Sequence, residues 1–322
     1  GGPQPRGGKS PVIRPSLPLV ALLAVATVSA GELHGIQPGD INRNADACTD
    51  FFDYANGAWR QQNPIPDYMD RWSRRWESGE VNKEHVRDIL TELSAKTDWP
   101  QGSAGQLAGD FYAACMDESR VDALGSKPVQ PWLADVDAIE DTAGLQREIG
   151  KLHAVGVAVP FGVYASEDLH EPLKTIAHVY ASGLGMPDRD YYLKTGPRFV
   201  EARAKNLVHV AKVFELAGVA PEQAKQDADT VFAFEKRLAE ASFDNVQLRD
   251  PQLQDHPTAF ADLAKLAPAF DWSAYFDAAN MPHDAVNVMQ PKFVQQVDKE
   301  LATTPLAQWK PYLRWQILHA AA

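Results

Sequence analysis

The stretch Gly183-Leu-Gly-Met-Pro-Asp-Arg-Asp-Tyr-Tyr-Leu193 constrains this chain more than any other. Glycines at 183 and 185 permit positive φ or the close approach of another segment. Pro187 fixes its own φ and keeps Met186 out of the helical region, while Asp188 is placed to cap the residues after it. A connection restricted in this way admits few geometries for the elements on either side. By residue chemistry it reads as a packed turn with a locally satisfied Asp188-Arg189-Asp190 cluster, not as a catalytic loop.

The flanks say what the turn joins. Val155–Tyr164 and Thr175–Ala181 are rich in β-branched and aromatic residues and enclose a polar stretch, Ser166–Lys174, so they read as one β-hairpin running into Gly183. Beyond the turn, Phe199, Leu207, Val210, Phe214 and Ala217 mark a long helix that stops at Gly218. Pro221 opens another through Ala224, Ala228, Val231 and Leu238. Glu235 lies close to that apolar stripe, where a carboxylate is expected to meet a basic residue or a backbone donor.

Helical spacing also appears at Val86, Ile89, Leu90 and Leu93, and at Leu107, Ala108, Phe111, Tyr112 and Cys115, which turns Cys115 inward. Further stripes run through Trp132, Leu133, Val136 and Ile139, then Leu145, Ile149 and Leu152. Phe260, Leu263 and Leu266 give a shorter helix, Val286–Val288 an extended piece, and Pro291 opens a helix carrying Phe293, Val297 and Leu301. Thr304-Pro305 starts a last helix, striped by Leu306, Trp309, Leu313 and Ile317, with no stop signal before Ala322. Near the other end, Thr49 or Asp50 caps a short helix whose aromatic residues face a core and which Gly57 ends. The fold class is therefore mainly α with a small β-hairpin.

Two chemical classes are disfavoured early. A formal net charge of -12 over 322 residues supplies no basic surface for phosphates, so neither nucleic acid nor an anionic membrane is an expected partner. In residues 1–30, Lys9 and Arg14 precede an apolar run from Leu17 to Val28, followed by small residues at Val28-Ser29-Ala30, which reads as an export signal. That run is too short for a membrane span, and no later stretch does better. Gly8-Lys9-Ser10 imitates the end of a phosphate-binding loop, but Pro3 stands where that pattern needs glycine. The only cysteines are Cys48 and Cys115. In an exported chain they can pair with each other, contributing on the order of 4 kcal/mol, or each can await another partner.

Arg71, Trp72, Arg74, Arg75 and Trp76 concentrate positive charge beside indole rings. The cluster can hold an anion, although guanidinium groups stacked on Trp and paired with acidic side chains account for it more simply. No pair of histidines stands at i and i+4 with a glutamate after the first, the arrangement by which one helix face offers zinc two imidazoles and a base. His170-Glu171 is followed by Pro172, Glu84-His85 has the order reversed, and His153, His178 and His209 lack a carboxylate or cysteine at ligand spacing. There is no Gly-x-Ser-x-Gly elbow, Cys-x-x-Cys pair or dinucleotide fingerprint. No residue is assigned as catalytic or as a metal ligand.

Several segments nevertheless resemble, in order, the N-terminal half of the neprilysin family of zinc metalloendopeptidases. They are Cys48-Thr-Asp-Phe-Phe-Asp-Tyr-Ala-Asn-Gly-Ala-Trp59, Ile65-Pro66, Tyr112-Ala-Ala-Cys-Met-Asp117, Gly183–Leu193, Phe234-Glu-Lys-Arg-Leu-Ala239 and Trp309-Lys-Pro-Tyr-Leu-Arg-Trp315. The resemblance covers the chain from about Asp46 onward. It implies a secreted or membrane-tethered enzyme of two lobes around a water-filled chamber. Residues 1–30 are then a leader, 31–80 the N-terminal part of the catalytic lobe, and 81–322 a helical gating lobe cut short at its C-terminal end. It also implies zinc in the complete enzyme, small peptides as substrates, and a periplasmic or extracellular location. The zinc-binding residues belong downstream, in a C-terminal catalytic region of the same chain, so these residues alone are expected to be inactive and to bind no zinc.

Residue by residue, the resemblance places Arg71 on an arginine that faces the primed side of the peptide, where it binds a carbonyl or carboxylate. A second family arginine is Gly79 here, so the pocket differs. Equivalents of Cys48 and Cys115 pair with downstream cysteines, which makes both disulfide candidates to partners beyond this chain. The competing expectation is an inactive exported helical module that binds peptides or acts as a scaffold.

Overall fold

A computed structural model describes residues 37–69, 71–279, 281 and 285–321. The leader and its apolar run lie outside the described residues. The chain divides into two compact units, Gly1–Tyr112 and Ala113–Ala322. No helix among the described residues is long and apolar enough to cross a membrane.

In the first unit, α1 (Phe51–Gln62) begins at Asp50, whose side chain accepts the Asp53 N–H. Capping satisfies one of the donors that a helix start leaves without a partner. Gly57 does not end this helix. A Cβ there would lie 2.6 Å from Asp53 Oδ1 and 2.8 Å from Asn42 Cβ, so glycine is required by close packing. The expected inward aromatic face is likewise corrected: Trp59 is buried, whereas Phe51 and Phe52 are 68% and 62% exposed.

The helix α2 (Arg74–Ala95) buries no residue, and Val86 and Ile89 stay exposed. In α3 (Ala104–Met116), Leu107, Phe111 and Cys115 are exposed too, so Cys115 does not point inward. Periodicity identifies which residues share a face; it does not say what covers that face. Gly109 lets α3 approach the end of α2, since a Cβ would stand 2.6 Å from the Leu93 carbonyl oxygen.

The second unit continues with α4 (Glu118–Leu124), α5 (Gln130–Asp137) and α6 (Thr142–Ala154). The hairpin comes next as β1 (Phe161–Glu167) and β2 (Thr175–Ala181), antiparallel with Tyr164 opposite His178. It starts later than Val155, because Gly156 has φ of 86° and breaks the extended run. After the turn come α7 (Asp190–Leu193), α8 (Pro197–Leu216) and α9 (Pro221–Ala241). Gly218, at φ of 96°, closes α8 as expected from sequence.

Beyond these lie β3 (Pro257–Ala259), α10 (Phe260–Leu266), α11 (Trp272–Ala278), β4 (Ala285–Val288), α12 (Pro291–Thr303) and α13 (Leu306–Ala321). The hairpin is thus half of a four-stranded sheet of order β1-β2-β4-β3, with β2 and β4 parallel. The short extended piece at Val286–Val288 belongs to β4. The unforeseen strand β3 is three residues at an edge, beginning with a proline, which leaves no alternation to read.

Helices pack over this sheet through large aromatic side chains. Phe214, Phe234, Phe276, Phe293, Trp309, Tyr312 and Trp315 are all below 2% exposure. Phe234 of α9 stacks on Tyr312 at 4.2 Å between ring centroids and meets Trp309 edge-on at 4.6 Å. At the end of α5, Lys310 Nζ donates to the Asp137 carbonyl and Arg314 pairs with the Asp137 carboxylate at 2.7 Å, fixing α13 against it. Replacing a fully buried phenylalanine removes its transfer free energy and leaves a cavity. Phe234→Ala is expected to lower the unfolding free energy by about 3–5 kcal/mol in urea titrations followed by tryptophan fluorescence; a loss below about 1 kcal/mol would contradict this packing.

Candidate functional site

The basic-aromatic segment divides its arginines by partner. Arg74 pairs with Asp40 at 2.7 Å and Glu77 at 3.1 Å, and its guanidinium lies 5.3 Å from the centroid of the buried Trp59 ring. The hydrogen bond to Asp40 is the main reason its pKa is raised. Arg74 is therefore a structural clamp of the first unit. Arg71 is exposed, with its guanidinium 5.8 Å from the centroid of the Trp76 ring, within cation–π range.

A different kind of chemistry surrounds the turn at Gly183–Leu193. Gly183 has φ of 80°, and a Cβ there would collide with the Tyr312 hydroxyl. That hydroxyl and Gln316 Nε2 both donate to the Gly183 carbonyl, at 2.9 and 3.1 Å. A Cβ on Gly185 would sit 2.7 Å from Trp315 Nε1. Both glycines are thus needed because α13 passes against the turn. Asp188 Oδ1 accepts the Asp190 N–H at 2.8 Å, and Arg189 donates to the Ser242 carbonyl, so the charged cluster is satisfied locally.

Glu235, on α9, is 0% exposed and gathers these pieces. Oε1 accepts from the Gly185 N–H at 3.1 Å, Trp315 Nε1 at 3.1 Å and Gln316 Nε2 at 2.9 Å. Oε2 accepts from the Tyr192 hydroxyl at 2.7 Å, which itself accepts the Met186 N–H. The expected backbone donor is present; no basic side chain joins it. Burial pushes the carboxyl up to about 7, against the pull of its four donors. Burial and the neighbouring Glu235 raise the Tyr192 and Tyr312 hydroxyls, which stay protonated as donors. The partners of Glu235 lie up to 81 residues away, so no local sequence signal announces this centre.

His153, His178 and His209 are held in structural contacts. His153 lies between the Tyr275 hydroxyl at 2.6 Å and the Val159 backbone, and burial pushes it down to about 4. His178 is buried beside Asn287 and the Glu167 carbonyl and stacks on Tyr164. His209 is exposed, edge-on to Trp315. Among the described residues no three His, Cys, Asp or Glu side chains converge in a way that would hold a metal ion. The donor set of the described residues therefore does not fit a zinc site. Cys48 and Cys115 are exposed thiols and are not bonded to each other.

Comparison with known proteins adds what this geometry lacks. The sequence pattern of peptidase family M13 matches residues 47–322. Endothelin-converting enzyme 1 of Bos taurus is 28% identical over 352 aligned residues, covering 96% of this chain and 45% of that protein. Neprilysin-3 of Drosophila melanogaster is 26% identical across 74% of this chain and 31% of its own length. Among solved structures, the zinc metalloprotease ZMP1 of Mycobacterium tuberculosis, in complex with an inhibitor, superposes with a TM-score of 0.80 at 28% identity. It matches 88% of this chain and 43% of that one. PepO of Lactobacillus rhamnosis HN001 shares the fold, with a TM-score of 0.68 at 19% identity, over 85% of this chain and 43% of its own. The chain spans less than half the length of these relatives.

Glu235 and His153 act on stability in opposite directions. Glu235, raised from 4.5 to about 7, adds stability that is complete below 4.5 and is lost as pH rises through about 7. His153, lowered from 6.5 to about 4, adds stability that is complete above 6.5 and is lost as pH falls through about 4. Their slopes oppose each other across the shared range. Glu235→Gln removes one of them: the stability difference between the variant and the natural chain is expected to shift in the variant's favour by about 3 kcal/mol between pH 4 and pH 8 in urea titrations. A difference independent of pH would show that Glu235 does not titrate there.

Proposed function

The chain belongs to peptidase family M13, and on that premise we propose that it is the N-terminal region of an exported zinc metalloendopeptidase that hydrolyses small peptides. Residues 31–80 form part of the catalytic lobe, and residues 81–322 form a helical lobe that bounds the chamber and limits substrate size. The zinc ion and the groups that activate water come from a catalytic region of the same protein outside these residues. The observation that carries this reading is the match over residues 47–322 to a peptidase family by a segment whose described residues offer no metal-binding cluster.

Within this reading Arg71 binds the primed side of the peptide, donating to a backbone carbonyl or a terminal carboxylate. Its exposure and the support of Trp76 are consistent with that role. The exposed thiols of Cys48 and Cys115 are consistent with disulfides to cysteines of that catalytic region.

Two measurements test the reading. In the complete enzyme, Arg71→Ala is expected to raise KM for short peptides about tenfold with little change in kcat, because it removes binding common to ground and transition states. Unchanged KM across several peptides would remove Arg71 from the site. The 322-residue chain, equilibrated with zinc and desalted, is expected to retain far less than one zinc per molecule by atomic absorption. Stoichiometric retention would place a metal site inside these residues.

A further inference from the structure

Beside the turn, a groove of about 250 Å³ opens between residues 181–189, residues 242–248 and Gln290. Gln290 is only 4% exposed. Its Oε1 accepts the Phe243 N–H at 2.7 Å, which sets the amide orientation and leaves Nε2 as the outward donor. Nε2 has no hydrogen-bond partner among the described residues. It is not one of the fully enclosed atoms in that condition, such as Glu148 Oε1 and His256 Nδ1, because it faces the groove. A donor held in place by its own amide oxygen, on a residue that is otherwise enclosed, marks a place where an acceptor can bind.

Two charged side chains also line the groove. Arg189 gives one N–H to the Ser242 carbonyl and its charge also acts on the nearby Asp244 carboxylate, while its other N–H groups make no hydrogen bond to a described residue. Asp188 also lines the groove, but Oδ1 accepts the Asp190 N–H and Oδ2 accepts Asn245 Nδ2. Both Asp188 oxygens are thus used, which leaves Gln290 Nε2 and the remaining Arg189 N–H groups as donors at the groove. Beside them Met186, Phe243 and Leu248 supply an apolar wall.

We infer that this groove binds the C-terminal residue of a peptide, its carboxylate taken by Gln290 Nε2 and Arg189 and its apolar side chain by Met186, Phe243 and Leu248. Guanidinium–carboxylate hydrogen bonds are charge-assisted, and the adjoining wall selects an apolar residue over a bare anion. The volume lies below the roughly 300–1,000 Å³ of sites for drug-sized ligands, so it admits one residue and not a length of peptide. The site does not depend on the peptidase reading, because all of its residues lie in this chain and its probe is not a substrate.

The test is calorimetric or NMR titration of the 322-residue chain with N-acetyl-leucine, N-acetyl-leucine amide and acetate. N-acetyl-leucine is expected to bind with a Kd of about 1 mM or tighter, and at least about tenfold more tightly than either other probe. Gln290→Glu keeps the acceptor for Phe243 and replaces the donor with a negative charge, so it is expected to weaken N-acetyl-leucine at least about tenfold. Leu248→Ser, at an exposed position, is expected to weaken it about threefold and serves if Gln290→Glu fails to fold. Equal binding of the amide would remove the carboxylate from recognition, and equal binding of acetate would remove the apolar wall. No binding of N-acetyl-leucine at about 10 mM, or an undiminished affinity in both variants, would overturn the proposal.

Discussion

Four hydrogen bonds to one buried carboxyl hold the second unit in its arrangement. Glu235 accepts from Gly185 in the turn, Tyr192 in α7, and Trp315 and Gln316 in α13, while standing on α9. Four separate stretches of chain are therefore positioned by one side chain. A carboxyl group enclosed without a cation is costly unless every oxygen is satisfied, and here the donors satisfy both. The same demand explains the composition of the turn: with α13 so close, side chains at 183 and 185 would strike Tyr312 and Trp315. The rigid handover from β2 to α7 rests on those two contacts.

The signature stretch is legible in the sequence as a shaped structural turn: Gly183 takes positive φ, both glycines meet α13 closely, and Asp188 accepts the N–H of Asp190. The helices after it are legible as well, because proline starts and a glycine stop bracket strong apolar stripes. Three features are not. The strand β3 is too short to show alternation, and Gly57 has the look of a helix stop although it is a packing position. The four-donor environment of Glu235 joins residues 43 to 81 positions apart, and only the completed fold brings them together. Local pattern shows that Glu235 adjoins an apolar face; it cannot show that neutral donors take the place of a base.

The first unit shows the opposite limit. Spacing correctly identifies apolar faces at Val86, Ile89, Leu107 and Phe111, but those faces are exposed, not buried. Among the arginines, Arg74 is committed to Asp40, Glu77 and Trp59, which removes it from ligand binding, whereas Arg71 is exposed over Trp76. Spacing alone does not separate the partners of these two arginines. The proposed contact with peptide belongs to Arg71 and the structural one to Arg74.

In this account the Gly183–Leu193 turn is fixed architecture, held by the carboxyl of Glu235. Native-state hydrogen exchange of the Gly185 and Met186 amides tests this most directly. Both donate to buried side-chain oxygens, so they are expected to exchange only through large-scale unfolding, with protection equal to that of the α9 core amides. Exchange at the rate of an open loop, with α9 still protected, would show that the turn moves independently of Glu235 and would contradict the account.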